Sequence, residues 1–175
     1  MSLNATNSSS NRKLHKADRQ SIESAAWFAV IRAYEECDQL FAAMLAEMEL
    51  TTSQFDVLTA VERLGTNALP KEVAKQLLVT RANVSGLLRR LEQRGLIGMQ
   101  PHKTDGRSLV CRLTPAGAKA LQRAKSASSR FLREQLSIFS DTELNGMHKK
   151  MQRMREHLST MDPIAISKAQ SNPAR

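Results

Sequence analysis

The segment from Pro70 to Leu113 constrains the fold more than any other part of the chain. Pro70 suits the first turn of a helix, where the N–H that proline lacks would have no partner anyway. Val73 and Leu77 then lie one turn apart and face inward. After a break of only two or three residues, Thr80 is placed to cap a second helix running from Arg81 to Arg94. Val84, Leu87, Leu88 and Leu91 give that helix one apolar stripe, and Gly95 supplies its stop. Because only one side is apolar, Arg81, Asn83, Ser85, Arg89 and Arg90 project away from the core. The runs Leu96 to Gln100 and Ser108 to Leu113 flank the polar turn Pro101 to Arg107, the pattern of a β-hairpin.

The remainder reads as helix. Gly (7) and Pro (5) are few and aromatics are 4 %, which disfavours a sandwich or barrel. From Ile22 apolar residues recur at three-and-four spacing through Ala26, Val30, Tyr34, Cys37, Phe41, Met44 and Met48, predicting one long amphipathic helix that ends before Thr51. Thr51, Thr52 or Ser53 caps a second helix carrying Phe55, Leu58, Val61 and Leu64, stopped at Gly65. Thr114-Pro115 opens a long helix bearing Leu121, Ala124, Phe131 and Leu132. Ser140 or Asp141 caps a last one whose Leu144, Met147, Met151, Met154, Leu158 and Met161 form a heptad seam. The division expected is a flexible basic arm (1–20), a dimerisation helix (21–50), a winged helix-turn-helix lobe (51–114), C-terminal dimerisation helices (115–161) and a flexible tail (162–175). The fold class is mainly α, with a two-stranded β wing. The seam and the long first helix leave more apolar surface than one small lobe covers, so a homodimer is expected; packing within one chain is the alternative.

Charge points the same way as pattern. The net charge is +9, yet Glu23 to Leu64 holds eight acids against two bases, whereas Pro70 to Arg112 holds nine bases against three acids. The first stretch repels a polyanion and the second attracts one. Two short helices with a tight joint, the second presenting Arg, Asn and Ser outward, make a helix-turn-helix whose second helix fits the major groove. Arg81 and Asn83 suit base edges, Arg to guanine and Asn to adenine, and Ser85 suits phosphate. Arg89 belongs to the same outward row. The hairpin turn carries Lys103 and Arg107 beyond the body, where a guanidinium enters a narrow minor groove, and Asp105 is placed to orient Arg107 or pair with an arginine of the second helix. Two such helices on one face of a duplex require half-sites about 10 base pairs apart. An ordinary helical hairpin with surface arginines is the alternative.

The runs Leu50 to Leu58, Glu72 to Leu77, Thr80 to Ser85, Arg90 to Ile97, Asp105-Gly106-Arg107 and Leu113 to Gly117 together resemble the MarR family of bacterial transcription regulators, over about residues 22 to 160. The resemblance implies a homodimer with winged helix-turn-helix lobes and a dimerisation domain from the first and last two helices. It also implies double-stranded DNA as partner, with a pseudo-palindromic operator and DNA contacts from Arg81, Asn83, Ser85 and Arg107. The regulator is then more often a repressor than an activator, released by a small ligand or an oxidant. Two departures stand out: Gly98 and Met99 replace the basic residue many members carry after the Gly-Leu-Ile, and the N-terminal arm is longer than the fold needs.

Other chemistries fit poorly. The chain has no P-loop, Gly-rich dinucleotide turn or His-Glu-x-x-His, so no enzyme and no cofactor is expected. The histidines and the two cysteines lack metal-ligand spacing, so no metal is expected. Cys37 and Cys111 are too few for a disulfide framework, which suits a reducing compartment; Cys37 reads as a small hydrophobe before a redox sensor. Trp27, Tyr34 and Phe41 lie near one side of the first helix and line either an effector pocket or a dimer core. No apolar run approaches a membrane span, so a cytoplasmic protein with no membrane partner is expected. The competing function is an architectural or protein-interaction winged helix that binds no specific sequence.

Overall fold

The computed structural model describes residues 7–101 and 109–169, with side chains from 18–101 and 109–168. The elements are α1 (Asn7–Ala46), α2 (Thr52–Leu64), a 3-10 turn (Gly65–Asn67), α3 (Pro70–Leu77), α4 (Arg81–Gln93), β1 (Ile97–Pro101), β2 (Leu109–Leu113), α5 (Pro115–Leu136), α6 (Asp141–Thr160) and α7 (Pro163–Ala169). They group into two compact units, residues 1–128 and 129–175.

Local chemistry sets the helix boundaries. Thr51 opens α2 with a capping box: its Oγ1 accepts from Gln54 N at 3.2 Å and Gln54 Oε1 accepts from Thr51 N at 3.1 Å. Ser140 and Glu143 repeat the device on α6, where Ser140 N and Oγ both donate to Glu143 Oε2 and hold its carboxyl below the usual range. Pro70 occupies the first turn of α3. At the end of α4, Gly95 takes φ +66°. Gly95 N donates to Glu92 O and Leu96 N to Leu91 O, the paired bonds of a Schellman stop.

Both termini depart from expectation. The polar stretch expected as an arm is helical from Asn7, since α1 begins there and no proline or glycine intervenes before the apolar part. The segment beyond Asp162, expected as a frayed tail, carries α7, nucleated by Pro163 and by Asp162 Oδ1 accepting from Ile164 N and Ala165 N.

The core of the first unit collects one face of each element around it. Leu45 from the end of α1, Val57, Leu58 and Val61 of α2, Val73 of α3, Val84 and Leu91 of α4, Ile97 of β1, Cys111 of β2 and Leu121 of α5 are all 2 % exposed or less. β1 and β2 pair antiparallel with Ile97 opposite Leu113 and Pro101 opposite Leu109. Cys111 N also donates to Ala68 O at 2.8 Å, which ties the hairpin to the chain just before α3. Among the described residues of α1, those of its last turns join this core. Phe41, Met44 and Met48 pack against it, with the Phe41 and Phe55 rings edge to face at 5.8 Å, whereas Ile22, Trp27, Phe28, Tyr34 and Leu40 are exposed. In the second unit α6 has no buried residue, and Met147, Met151, Leu158 and Met161 of its seam are exposed.

Candidate nucleic-acid interface

Helix α4 divides cleanly into two faces. Val84, Leu88 and Leu91 are buried and Leu87 half-buried, while Arg81, Asn83, Ser85, Arg89 and Arg90 are exposed. The 3.6-residue period alone produces this separation, and burial of the apolar stripe fixes which side looks out. Thr80 caps the helix, its Oγ1 accepting from Asn83 N at 3.3 Å. Ser85 Oγ donates to Arg81 O at 2.9 Å, so its proton is engaged within the helix and its oxygen remains an acceptor. The outward row therefore offers guanidinium and amide donors, chemistry matched to guanine and adenine edges and to phosphate.

The joint between α3 and α4 is short because Leu78 adopts the left-handed conformation, φ 56°, that usually calls for glycine. Its N–H bonds back to Lys75 O and the next N–H, of Val79, to Ala74 O. Leu78 is 92 % exposed, so no burial offsets that conformation. Nothing in the residue pattern marks this position, since leucine there reads as an ordinary helix former.

The far end of α4 is fixed by contacts distant in sequence. Arg94 Nη1 donates to Glu49 O at 2.6 Å and to Gln54 Oε1 at 3.3 Å, and its Nη2 faces Glu49 Oε2 at 3.5 Å. Thr114 then binds the hairpin to α5: its Oγ1 donates to Gly95 O at 2.6 Å and accepts from Gly117 N at 3.0 Å, while its N–H donates to Leu96 O at 3.1 Å. Lys125 of α5 pairs with Glu62 of α2. The sequence marks Arg94 as a helix end and a positive charge but not these contacts, since its partners lie 40 and 45 residues away, beyond any local signal.

The wing residues Lys103, Asp105 and Arg107 lie outside the described residues; β1 and β2, which lead into and out of that turn, are described. The three aromatic residues expected to line either an effector pocket or a dimer core are not brought together within one chain. Phe41 packs on Phe55 in the core, whereas Trp27 and Tyr34 are 55 % and 68 % exposed on α1. Cys111 is fully buried, its Sγ 3.4 Å from Met99 Sδ; burial, aided by Glu92, pushes its thiol up to about 11, the property of an inert cysteine. Among the described residues no group of three or more His, Cys, Asp or Glu is arranged to hold a metal, and no helix is long and apolar enough to cross a membrane.

Residues 49–108, spanning α2 to the wing turn, match the model of the MarR family. A helix-turn-helix transcriptional regulator of Bacillus cereus is 35 % identical over 133 residues, covering 74 % of this chain and 83 % of the relative. This chain belongs to the MarR family. It is a transcriptional regulator and not an enzyme. Among solved structures, mutant MarR from E. coli complexed with operator DNA is similar with a TM-score of 0.62 at 21 % identity, over 71 % of this chain and 89 % of that one. BpsR of Bordetella bronchiseptica, whose DNA binding is regulated by 6-hydroxynicotinic acid, has a TM-score of 0.62 at 23 % identity, over 76 % and 91 %. These two likenesses establish the winged-helix fold that the MarR residues of this chain had implied.

Proposed function

We propose that this MarR-family regulator is a cytoplasmic homodimer that reads a pseudo-palindromic operator and represses transcription until a small ligand releases it. The observation that carries the reading is the outward row of α4, Arg81, Asn83, Ser85 and Arg89, exposed together on a helix whose other face is buried. Arg81 and Asn83 take base edges and Arg89 the backbone, Ser85 reaching a phosphate by turning its hydroxyl away from Arg81 O, and Lys103 and Arg107 of the wing take the flanking minor groove, with Asp105 orienting Arg107. Dimerisation is supported by the apolar residues left exposed on α1 and α6, since surface of this kind is covered by a second copy more readily than left to water. Operator binding by the similar E. coli protein and ligand control of the similar Bordetella protein support the remaining parts.

Selection of bound duplexes from a random pool tests the reading, followed by titration of the recovered sequence and a scrambled one at two salt concentrations. Wild type shows a preference for the recovered sequence. Arg81→Ala costs about 1–3 kcal/mol on it, and less on the scrambled duplex. Equal binding to both duplexes, with only a steep salt slope, would make the protein an architectural winged helix instead. Small molecules are then screened for release of the operator, with Trp27 and Tyr34 variants locating the effector site.

A further inference from the structure

Resting on that DNA-reading role, we infer that Arg94 is a positioning residue: it fixes the C-terminal end of the recognition helix to the corner between α1 and α2, so that the setting of α4 follows α1. The corner is a tightly built place. Glu49 stands in the left-handed region at φ 56°, and two paired bonds close the end of α1 there, Glu49 N to Ala46 O and Leu50 N to Leu45 O. A non-glycine residue in that conformation has its carbonyl turned out of the helical ladder. The Arg94 guanidinium meets that carbonyl at 2.6 Å.

Gln54 makes the contact directional. It is a polar side chain buried in this core, 8 % exposed, and its Oε1 accepts from both Thr51 N and Arg94 Nη1. The same oxygen that starts α2 is thus shared with the residue that caps the end of the reading helix. Two acceptors on one guanidinium nitrogen, Nη1, whose N–H bonds lie fixed in the plane of the group, tolerate less rotation than a lone ion pair. The third contact, to the exposed Glu49 carboxylate, adds little. Arg94 points back into the lobe at this corner while Arg81 and Asn83 occupy the opposite end of α4, so it affects DNA through the setting of the helix and not through phosphate.

The experiment uses the full chain, with the recovered operator and a scrambled duplex, well below the unfolding midpoint of every variant. Arg94→Ala is expected to cut the operator-to-scrambled ratio about tenfold, the equivalent of one charge-assisted hydrogen bond, while scrambled binding changes less than about twofold. Arg94→Lys, which keeps a donor without the planar fork, recovers part of the ratio. Gln54→Glu retains the capping box; it raises or preserves the ratio in wild type and does neither in the Arg94→Ala background. An unchanged ratio in Arg94→Ala, whatever its stability, overturns the role. So does an equal loss on both duplexes with a shallower salt slope, which marks a phosphate contact, or Gln54→Glu acting identically with and without Arg94. Wild type showing no preference removes the DNA-reading function itself, and this role with it; preference kept in Arg94→Ala removes the role alone.

Discussion

Replacing Gly117 with alanine tests whether the junction between the wing and α5 is as tight as its contacts imply. A Cβ at this position falls 2.8 Å from the Leu96 carbonyl carbon and 3.2 Å from Leu96 Cα, and closer still to the carbonyl oxygen. Ordinary carbon contacts sit at about 3.5–4.0 Å, so the first turn of α5 and the start of the wing must separate by about 1 Å. Both sides are backbone and neither has a rotamer through which to give way. Overpacking of this kind costs about 1–3 kcal/mol. The shift also breaks one of the bonds centred on Thr114, to Leu96 O, Gly95 O or from Gly117 N, for about 1 kcal/mol more. Alanine returns about 1 kcal/mol through its helix propensity. The lost bond and the helix propensity roughly cancel, so the balance is a loss of about 1–3 kcal/mol, read from urea unfolding followed by circular dichroism at fixed protein concentration. Gly86→Ala is the control: it too is in a helix, meets nothing within 4 Å, and is expected to hold or gain stability. Should Gly117→Ala unfold within about 0.5 kcal/mol of wild type, the close approach of α5 to Leu96 is wrong and with it the rigid wing root.

Leu78→Gly is expected to stabilise by up to about 1 kcal/mol, because a left-handed leucine costs about 1–2 kcal/mol and the entropy glycine loses on folding takes back only about 0.5–1 kcal/mol. A loss above 1 kcal/mol in the same urea assay would show that the exposed side chain packs against something. For Cys111, reaction with a thiol reagent at neutral pH is expected only on the time scale of unfolding. Its raised pKa also fixes the sign of an alkaline effect: the folded state binds the thiol proton more tightly than the unfolded chain, so this contribution is complete below the unfolded value and is lost as pH rises towards about 11. Stability compared between wild type and Cys111→Ala across that window tests it, and a parallel decline in both would rule it out.

What the sequence determined by itself is whatever short-range physics decides. Caps at Thr51, Thr80 and Ser140, prolines at 70 and 115, and the glycine stop at 95 act within a few residues, so the extents of α2, α3, α4 and α6 follow from local bonding. The outward row on α4 was legible for the same reason: helical periodicity and one apolar stripe leave Arg81, Asn83, Ser85 and Arg89 nowhere else to go. Helix also stands where a flexible arm and tail are expected, α1 beginning at Asn7 in a polar stretch with little to bury and α7 following Pro163. Tertiary structure alone decided the rest. It drew Phe41 into the core while leaving Trp27 and Tyr34 exposed, a split that periodicity does not foresee because all three occupy one helix. It set Leu78 in a conformation its residue type disfavours, and it joined Arg94 to Glu49 and Gln54 and Gly117 to Leu96. Those are meetings between segments far apart along the chain, fixed by how the elements pack, and no window of neighbouring residues contains them.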